Sequence, residues 1–284
     1  MRVLLTGGTG FIGAAILRRL LETGHTVTAV VRSEKSAEAV SRAGATPVIG
    51  DITDSTWFAD ILTTMDGAIH AAVPDDGSAA VMDDSVIDAA IIAFAHTQKP
   101  FVYTTGIWVY GAGDNLTEGD PFDAPAITAW REVRQDRLLS GGINARVIAP
   151  GIVYGYGKGI PGVIANAPRN AADALILVGS GDQHWTTVHV DDLADLYVAV
   201  LDNGSSGEVY LGVSGGNPTV RELGQAVVGP DGAVAADGLD STRARLGEEF
   251  ADALFIDQQA SGAKAREHLG WAPNRPTLVE ELSA

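Results

Sequence analysis

Apolar residues along this chain follow two rhythms. In the first third, short apolar runs at 3–5, 25–31, 46–50, 67–72 and 101–105 alternate with longer stretches at 11–24, 34–43, 54–64 and 78–96. In the longer stretches apolar side chains return every three or four positions, as on one face of a helix; the short runs, bounded by Gly or Pro, read as buried strands. Gly24, Gly44 and Lys99–Pro100 stop three of the helices, and Asp54 caps another. The 78–96 pattern is broken around Asp83–Asp84. Five strands alternating with helices before residue 106 predict an α/β fold with a parallel, doubly wound sheet.

Beyond that point a Gly-, Asp- and Pro-dense loop at 107–124 leads to a helix at 126–140 and a strand at 143–149. Residues 155–184 are glycine-rich at both ends; a strand at 185–190, a helix at 193–201 and a strand at 209–211 follow. Helical periods then dominate, at 219–228, 242–252, 261–269 and 278–282. This divides the chain into a main domain of residues 1–154 completed by 185–213, and a small, mostly helical lobe made of 155–184 and 214–284.

The opening segment carries the first chemistry. Gly7, Gly10 and Gly13 stand in G-x-x-G-x-x-G spacing between the first strand and the first helix, with Thr9, Phe11 and Ile12 among them. A helix start leaves N–H groups unpaired and carries partial positive charge, and glycines let the backbone approach a pyrophosphate. The second strand runs into Arg32, with no Asp or Glu before Glu34. An acidic residue there accepts from the ribose 2′-hydroxyl of NAD, whereas arginine suits a 2′-phosphate, so the pattern favours NADP. Ala71 and Ala72, small residues ending the fourth strand, leave room for a ligand where open α/β sheets bind one.

Composition narrows the partners. The chain has 284 residues, 46% of them hydrophobic, and 19 Lys+Arg against 36 Asp+Glu give a formal charge of −17. Such a surface repels nucleic acid and anionic membranes. The absence of cysteine excludes disulfides, thiol nucleophiles and thiolate metal sites. The six histidines show no metal-ligand spacing, and no G-x-S-x-G elbow occurs. Without a secretory n-region or an apolar run of membrane-spanning length, a cytoplasmic location is expected.

Five ordered segments are similar to landmarks of the short-chain dehydrogenase/reductase superfamily, in its extended and atypical branch. They are TGGTGFIG at 6–13, TTGIWVYG at 104–111, PGIVYG at 150–155 with Ala149 where arginine is usual, VHVDDLA at 188–194, and LGWAP at 269–273 followed by 277–282. The resemblance implies a Rossmann-type sheet with a C-terminal substrate lobe. It implies that Asp51 and Ile52 flank the adenine, and that Ala71, Ala72, Thr104, Pro150, Gly151 and Ile152 border the nicotinamide half. A homodimer through two helices of the fold is a further expectation.

One departure bears on mechanism. The family places a Tyr-x-x-x-Lys pair on the helix after the fifth strand; here that helix reads ITAWREVRQ over 127–135. Ile127 falls near the tyrosine position and Arg131 near the lysine. Arg131 could keep the ribose-holding role but cannot donate a proton at neutral pH. The literal Tyr154…Lys158 spacing lies in a glycine-interrupted segment, where the helical reason for it is missing. The family hydroxyl falls on Thr105 or Gly106. Candidate chemistry therefore rests on Thr105, Arg131 and Tyr154, and the substrate is expected among Trp108, Tyr156 and His184. The expected activity is NADPH-dependent hydride transfer to a carbonyl, imine or conjugated carbon of a small organic molecule. A non-enzymatic NADP(H) sensor is the alternative that the missing pair suggests. A nucleotide-sugar epimerase or dehydratase, which needs a proton-shuttling tyrosine, is disfavoured.

Overall fold

The computed structural model describes residues 1–74 and 76–284. Its strands are β1 Arg2–Thr6, β2 Thr26–Val31, β3 Thr46–Ile49, β4 Gly67–His70, β5 Phe101–Thr104, β6 Gly113–Leu116, β7 Ala145–Pro150, β8 Ile152–Gly155, β9 Lys158–Gly159, β10 Leu175–Ile176, β11 Thr187–His189, β12 Val209–Gly212, β13 Val234–Ala235 and β14 Gln258–Ala260. Its helices are α1 Phe11–Glu22, α2 Glu34–Arg42, α3 Ser55–Thr63, α4 Ala79–Phe94, α5 Ala126–Leu139, α6 Gly162–Ala165, α7 Val190–Asn203, α8 Val220–Val228, α9 Leu239–Leu246, α10 Glu248–Leu254, α11 Ala263–Leu269 and α12 Leu278–Ser283.

Seven strands form the central sheet in the order β12-β7-β5-β4-β1-β2-β3, all parallel. Alternate side chains of each strand serve opposite cores. Val3 and Leu5 pack under α1, α2 and α7, while Leu4 faces α3, α4 and α5. The doubly wound α/β architecture expected from the βα alternation is thus present. The strand order reverses direction between β1 and β4, and this is the switch point at which such sheets bind ligands.

The remaining elements build the lobe. Leu175, Leu177, Trp185, Leu223 and Leu254 centre a core of their own, into which Ile152 and Tyr154 also reach. The strand expected over 185–190 forms as β11, yet it pairs with β8 in a separate three-stranded sheet with β9. The segment 107–124 is not all loop: it holds a 3₁₀ turn at Ile107–Tyr110 and β6, which pairs with β14. The single helix expected at 242–252 is two, α9 and α10, because Gly247 adopts φ +90° between them. The interruption at Asp83 does not break α4, since its carboxylate turns into the protein and is paired there. Among the described residues no helix is long and apolar enough to cross a membrane.

Candidate functional site

The glycine turn sits at the switch point. Gly7, at φ +76°, presses on the end of β4: a Cβ there would come within 2.5 Å of the Ala71 carbonyl oxygen. A Cβ on Gly13 would overlap the Gly7 carbonyl, so only glycine lets α1 start this close to β1. The Gly7 carbonyl accepts from Gly10 N at 2.8 Å, and the Gly10 carbonyl from Ala14 N at 2.9 Å. Gly10 caps α1 without a side chain, and no acidic residue occupies the first turn. The positive end of the helix therefore stays available to an anion.

Arg32 follows β2, is exposed, and joins no ion pair among the described residues. Asp51 Oδ1 accepts from Thr53 N at 2.9 Å and Thr53 Oγ1 at 2.7 Å. These bonds, with a smaller contribution from the Arg32 charge, hold its carboxyl below the usual carboxylate range. Ile52 packs on the edge of the second core. The helix-start donors and the close backbone approach fit a dinucleotide.

Beneath this floor runs a buried polar chain. Thr6 Oγ1 lies 2.7 Å from His70 Nδ1, and His70 Nε2 lies 3.1 Å from Asp83 Oδ1. The Tyr103 hydroxyl donates to the other Asp83 oxygen, and Thr6 Oγ1 accepts from Ala71 N at 3.2 Å. Thr6, His70, Asp83 and Tyr103 are all at most 2% exposed. Every group is satisfied if His70 carries its proton on Nε2 and the Thr6 hydroxyl donates to Nδ1. The chain fixes the ends of β1 and β4, between which the glycine turn sits.

At the end of β5 the candidates converge. Thr104 Oγ1 donates to the His70 carbonyl at 2.7 Å and meets the Tyr197 hydroxyl at 2.7 Å. The Arg131 guanidinium donates to the Thr104 carbonyl at 3.0 Å and lies 4.3 Å over the Trp130 ring. Thr105 is 5% exposed, and its hydroxyl has no partner among the described residues. A buried hydroxyl left unpaired costs about 1–3 kcal/mol. Trp108, three residues on, meets Phe250 of α10 edge-on with centroids 6.2 Å apart. Pro150, Gly151 and Ile152 link β7 to β8. A Cβ on Gly151 would approach the Thr186 carbonyl oxygen to 2.7 Å, so this crossing too requires a bare backbone.

Three candidates lie elsewhere. Tyr154 is buried in the lobe core, its hydroxyl donating to the Pro276 carbonyl at 2.8 Å. Burial pushes its phenol well up, the opposite of what a proton-relaying tyrosine needs. Tyr156, 65% exposed, donates to Asp191 beside Arg18 on the flank of α1 and α7. His184 sits in the lobe with Nδ1 2.9 Å from Asp257 Oδ1. Its carbonyl accepts from Gln258 N at 3.1 Å.

Residues with no sequence signal also build the site. Gln258 Nε2 donates to the carbonyls of Ile107 at 3.0 Å and Gly111 at 2.5 Å, tying the turn that carries Trp108 to the lobe. Asp83 and Tyr103 showed only as a charge out of phase and an aromatic in a strand.

Known proteins resemble the whole chain. The model of the NAD dependent epimerase/dehydratase family matches residues 3–211. The uncharacterized protein C2A9.02 of Schizosaccharomyces pombe is 31% identical over 294 residues, spanning 100% of this chain and 99% of that protein. The 2-alkyl-3-oxoalkanoate reductase of Stenotrophomonas maltophilia is 27% identical over 264 residues, spanning 84% of this chain and 78% of that enzyme. The crystal structure of human epimerase family protein SDR39U1 with NADPH has a TM-score of 0.73 at 21% identity, covering 100% of this chain and 99% of that one.

Proposed function

This chain belongs to the NAD dependent epimerase/dehydratase family, within the extended short-chain dehydrogenases/reductases, and on that premise we propose that it is an NADP-dependent reductase of a small carbonyl, imine or conjugated compound. The observation that carries the proposal is the pair at the end of β5: a buried hydroxyl on Thr105, unpartnered among the described residues, beside a guanidinium, Arg131, with no tyrosine at the family position. Epimerisation and dehydration need a side chain that takes and returns protons, whereas reduction needs only a donor to a nascent oxyanion. The reductase among the relatives and the NADPH held by SDR39U1 support this reading.

When bound, NADPH supplies the hydride; the rest of the chemistry belongs to the chain. The amides at the start of α1 and the bare backbone of Gly7 and Gly10 hold the diphosphate. Arg32 holds the 2′-phosphate through charge-assisted hydrogen bonds. Arg131, anchored on the Thr104 carbonyl, turns its remaining donors to the ribose hydroxyls. The Thr105 hydroxyl donates to the substrate oxygen as negative charge develops there, and solvent supplies the proton through an ordered water.

Calorimetric titration of NADPH and NADH, paired with NADPH oxidation across aldehydes, ketones, imines and enones, tests the proposal. The expected result is tighter binding of NADPH and turnover within the panel. Firm NADPH binding with no turnover anywhere would support the second reading, a dinucleotide sensor, which the missing Tyr-Lys pair favours. Firmer binding of NADH would remove the role given to Arg32.

A further inference from the structure

Resting on the reductase reading, we infer that the substrate is uncharged: an apolar carbonyl compound whose body packs on Trp108 and Phe250, not a nucleoside diphosphate conjugate or a carboxylate. The inference starts from what the lobe does with its cations. Residues 155–184 and 214–284 contain eight Lys and Arg against thirteen Asp and Glu. All six of their arginines are engaged inside the lobe or against α7. Arg243 grips Asp252 bidentately at 2.7 and 2.9 Å. Arg245 donates to the Leu177 carbonyl at 3.2 Å and lies 3.5 Å from Asp237. Arg221 donates to the Ser180 carbonyl at 2.5 Å. Arg266 is held by the carbonyls of Ser261 and Ser214, and Arg169 by that of Asp173. Arg275 is 3.9 Å from Asp192.

Of the two lysines, Lys264 pairs with Glu208 at 2.5 Å. Lys158 lies in β9, whose neighbouring Gly159 sits against the Phe11 ring at the glycine turn, on the coenzyme side. A diphosphate or carboxylate entering the lobe would have to break an existing ion pair or carbonyl bond to find a guanidinium, in a surrounding field that is net negative. Trp108, three residues after Thr105, instead meets Phe250 of the lobe edge-on. Trp108 and Phe250 are both partly buried, and Gln258 pins the Trp108 turn in place from behind. Rigid aromatic walls with one hydrogen-bonding hydroxyl suit an apolar body carrying a single polar oxygen.

The test compares matched pairs on the intact protein with NADPH: keto esters against the keto acids of the same skeleton, with UDP and dTDP as competitors. Binding is read separately by calorimetry on the NADP⁺-loaded protein. The ester is expected to exceed its acid in kcat/KM by about 10-fold or more, with neither nucleotide competing. Phe250→Ala and the milder Trp108→Phe are expected to weaken ester binding by about 10-fold, the scale of a lost aromatic contact, with NADPH affinity unchanged. Preference for the acid, or competition by UDP or dTDP that Arg243→Ala relieves, would overturn the inference and leave the reductase reading standing. If no pair is turned over although NADPH binds, the reductase reading fails. Calorimetry then decides the inference alone: ester binding that Phe250→Ala weakens sustains it, and no ester binding overturns it.

Discussion

The guanidinium of Arg131 on α5 donates to the main-chain carbonyl of Thr104 across 3.0 Å, at the C-terminal end of β5. The bond fixes a positive charge at the end of β5, in a planar fork with donors to spare. Arg131→Lys can reach either the carbonyl or a ribose hydroxyl, not both. It is expected to lower kcat/KM by about 10-fold, and Arg131→Ala by about 100-fold, the scale of one to two charge-assisted hydrogen bonds. Steady-state kinetics check this. An alanine variant with undiminished kcat/KM on every substrate would remove Arg131 from the site.

Arg32 offers a cleaner separation, because the 2′-phosphate proposed for it is the part of the coenzyme that distinguishes NADP from NAD. Arg32→Ala is expected to weaken NADPH by about 10- to 100-fold, since a charged hydrogen bond contributes about 1.5–3 kcal/mol. NADH affinity should stay where it was. The two titrations on one variant decide the point, and equal loss for both would mean that Arg32 acts through the local fold instead.

The Asp83 carboxylate bears on stability as well as on the site. It accepts from Tyr103 and His70 with 1% of its surface exposed. Asp83→Ala leaves both donors buried and unpaired, and is expected to cost about 3–5 kcal/mol in urea denaturation. Asp83→Asn keeps one acceptor oxygen, so one of the two donors then faces the amide NH₂, and the variant is expected to fall between. The nitrogen chemical shifts of His70 should report a proton on Nε2 in the wild type. A proton found on Nδ1 would break the hydrogen-bond order drawn here from Asp83 to Thr6.

The legible part of this protein was whatever depends on local sequence. The βα alternation, the Gly7–Gly13 turn and the Arg32 position follow from period, turn chemistry and chain order, and the structure shows the same sheet and turn. Contacts made across more than a hundred residues were not legible. Nothing near Gln258 says that its amide holds the Ile107 and Gly111 carbonyls, 151 and 147 residues away. The sequence marks Tyr154 as a candidate for chemistry and Tyr156 as a substrate neighbour. The first is buried because β8 alternates into the lobe core, and the second is thrown outward at φ +57°. Asp83 looked like an interruption of a helix because its partner, His70, belongs to another element.

Four buried phenols set the alkaline limit. Burial raises Tyr103, Tyr154 and Tyr197 well above the ordinary value, and pushes Tyr110 up to about 12, with Gln135 a partial offset. Their folded pKa lies above the unfolded one, about 10. The stability they contribute is therefore complete below pH 10 and declines as pH rises, through about 12 for Tyr110. Chemical denaturation between pH 8 and pH 12 should show this fall, with Tyr110→Phe flattening its upper part. Phenols held this way are poor acids at neutral pH, so Tyr154→Phe is expected to retain activity. Loss of turnover with coenzyme binding intact would restore Tyr154 to the chemistry.

Thr105→Val brings stability and chemistry into opposition. The Thr105 hydroxyl is buried beside Arg131's anchor and has no partner among the described residues, while its main-chain N–H is satisfied by the Ile148 carbonyl at 2.9 Å. Valine has nearly the same shape and removes an unpaired polar atom, so the variant should be as stable as the wild type or more stable, by up to about 1 kcal/mol. If the hydroxyl exists to meet a nascent oxyanion, the same change should lower kcat by about 100-fold, as for other lost oxyanion donors, with NADPH affinity preserved. A residue kept only for packing would show the same unchanged or raised stability but with normal turnover. Denaturation and single-turnover kinetics on this one variant therefore separate a catalytic hydroxyl from a strand-end threonine.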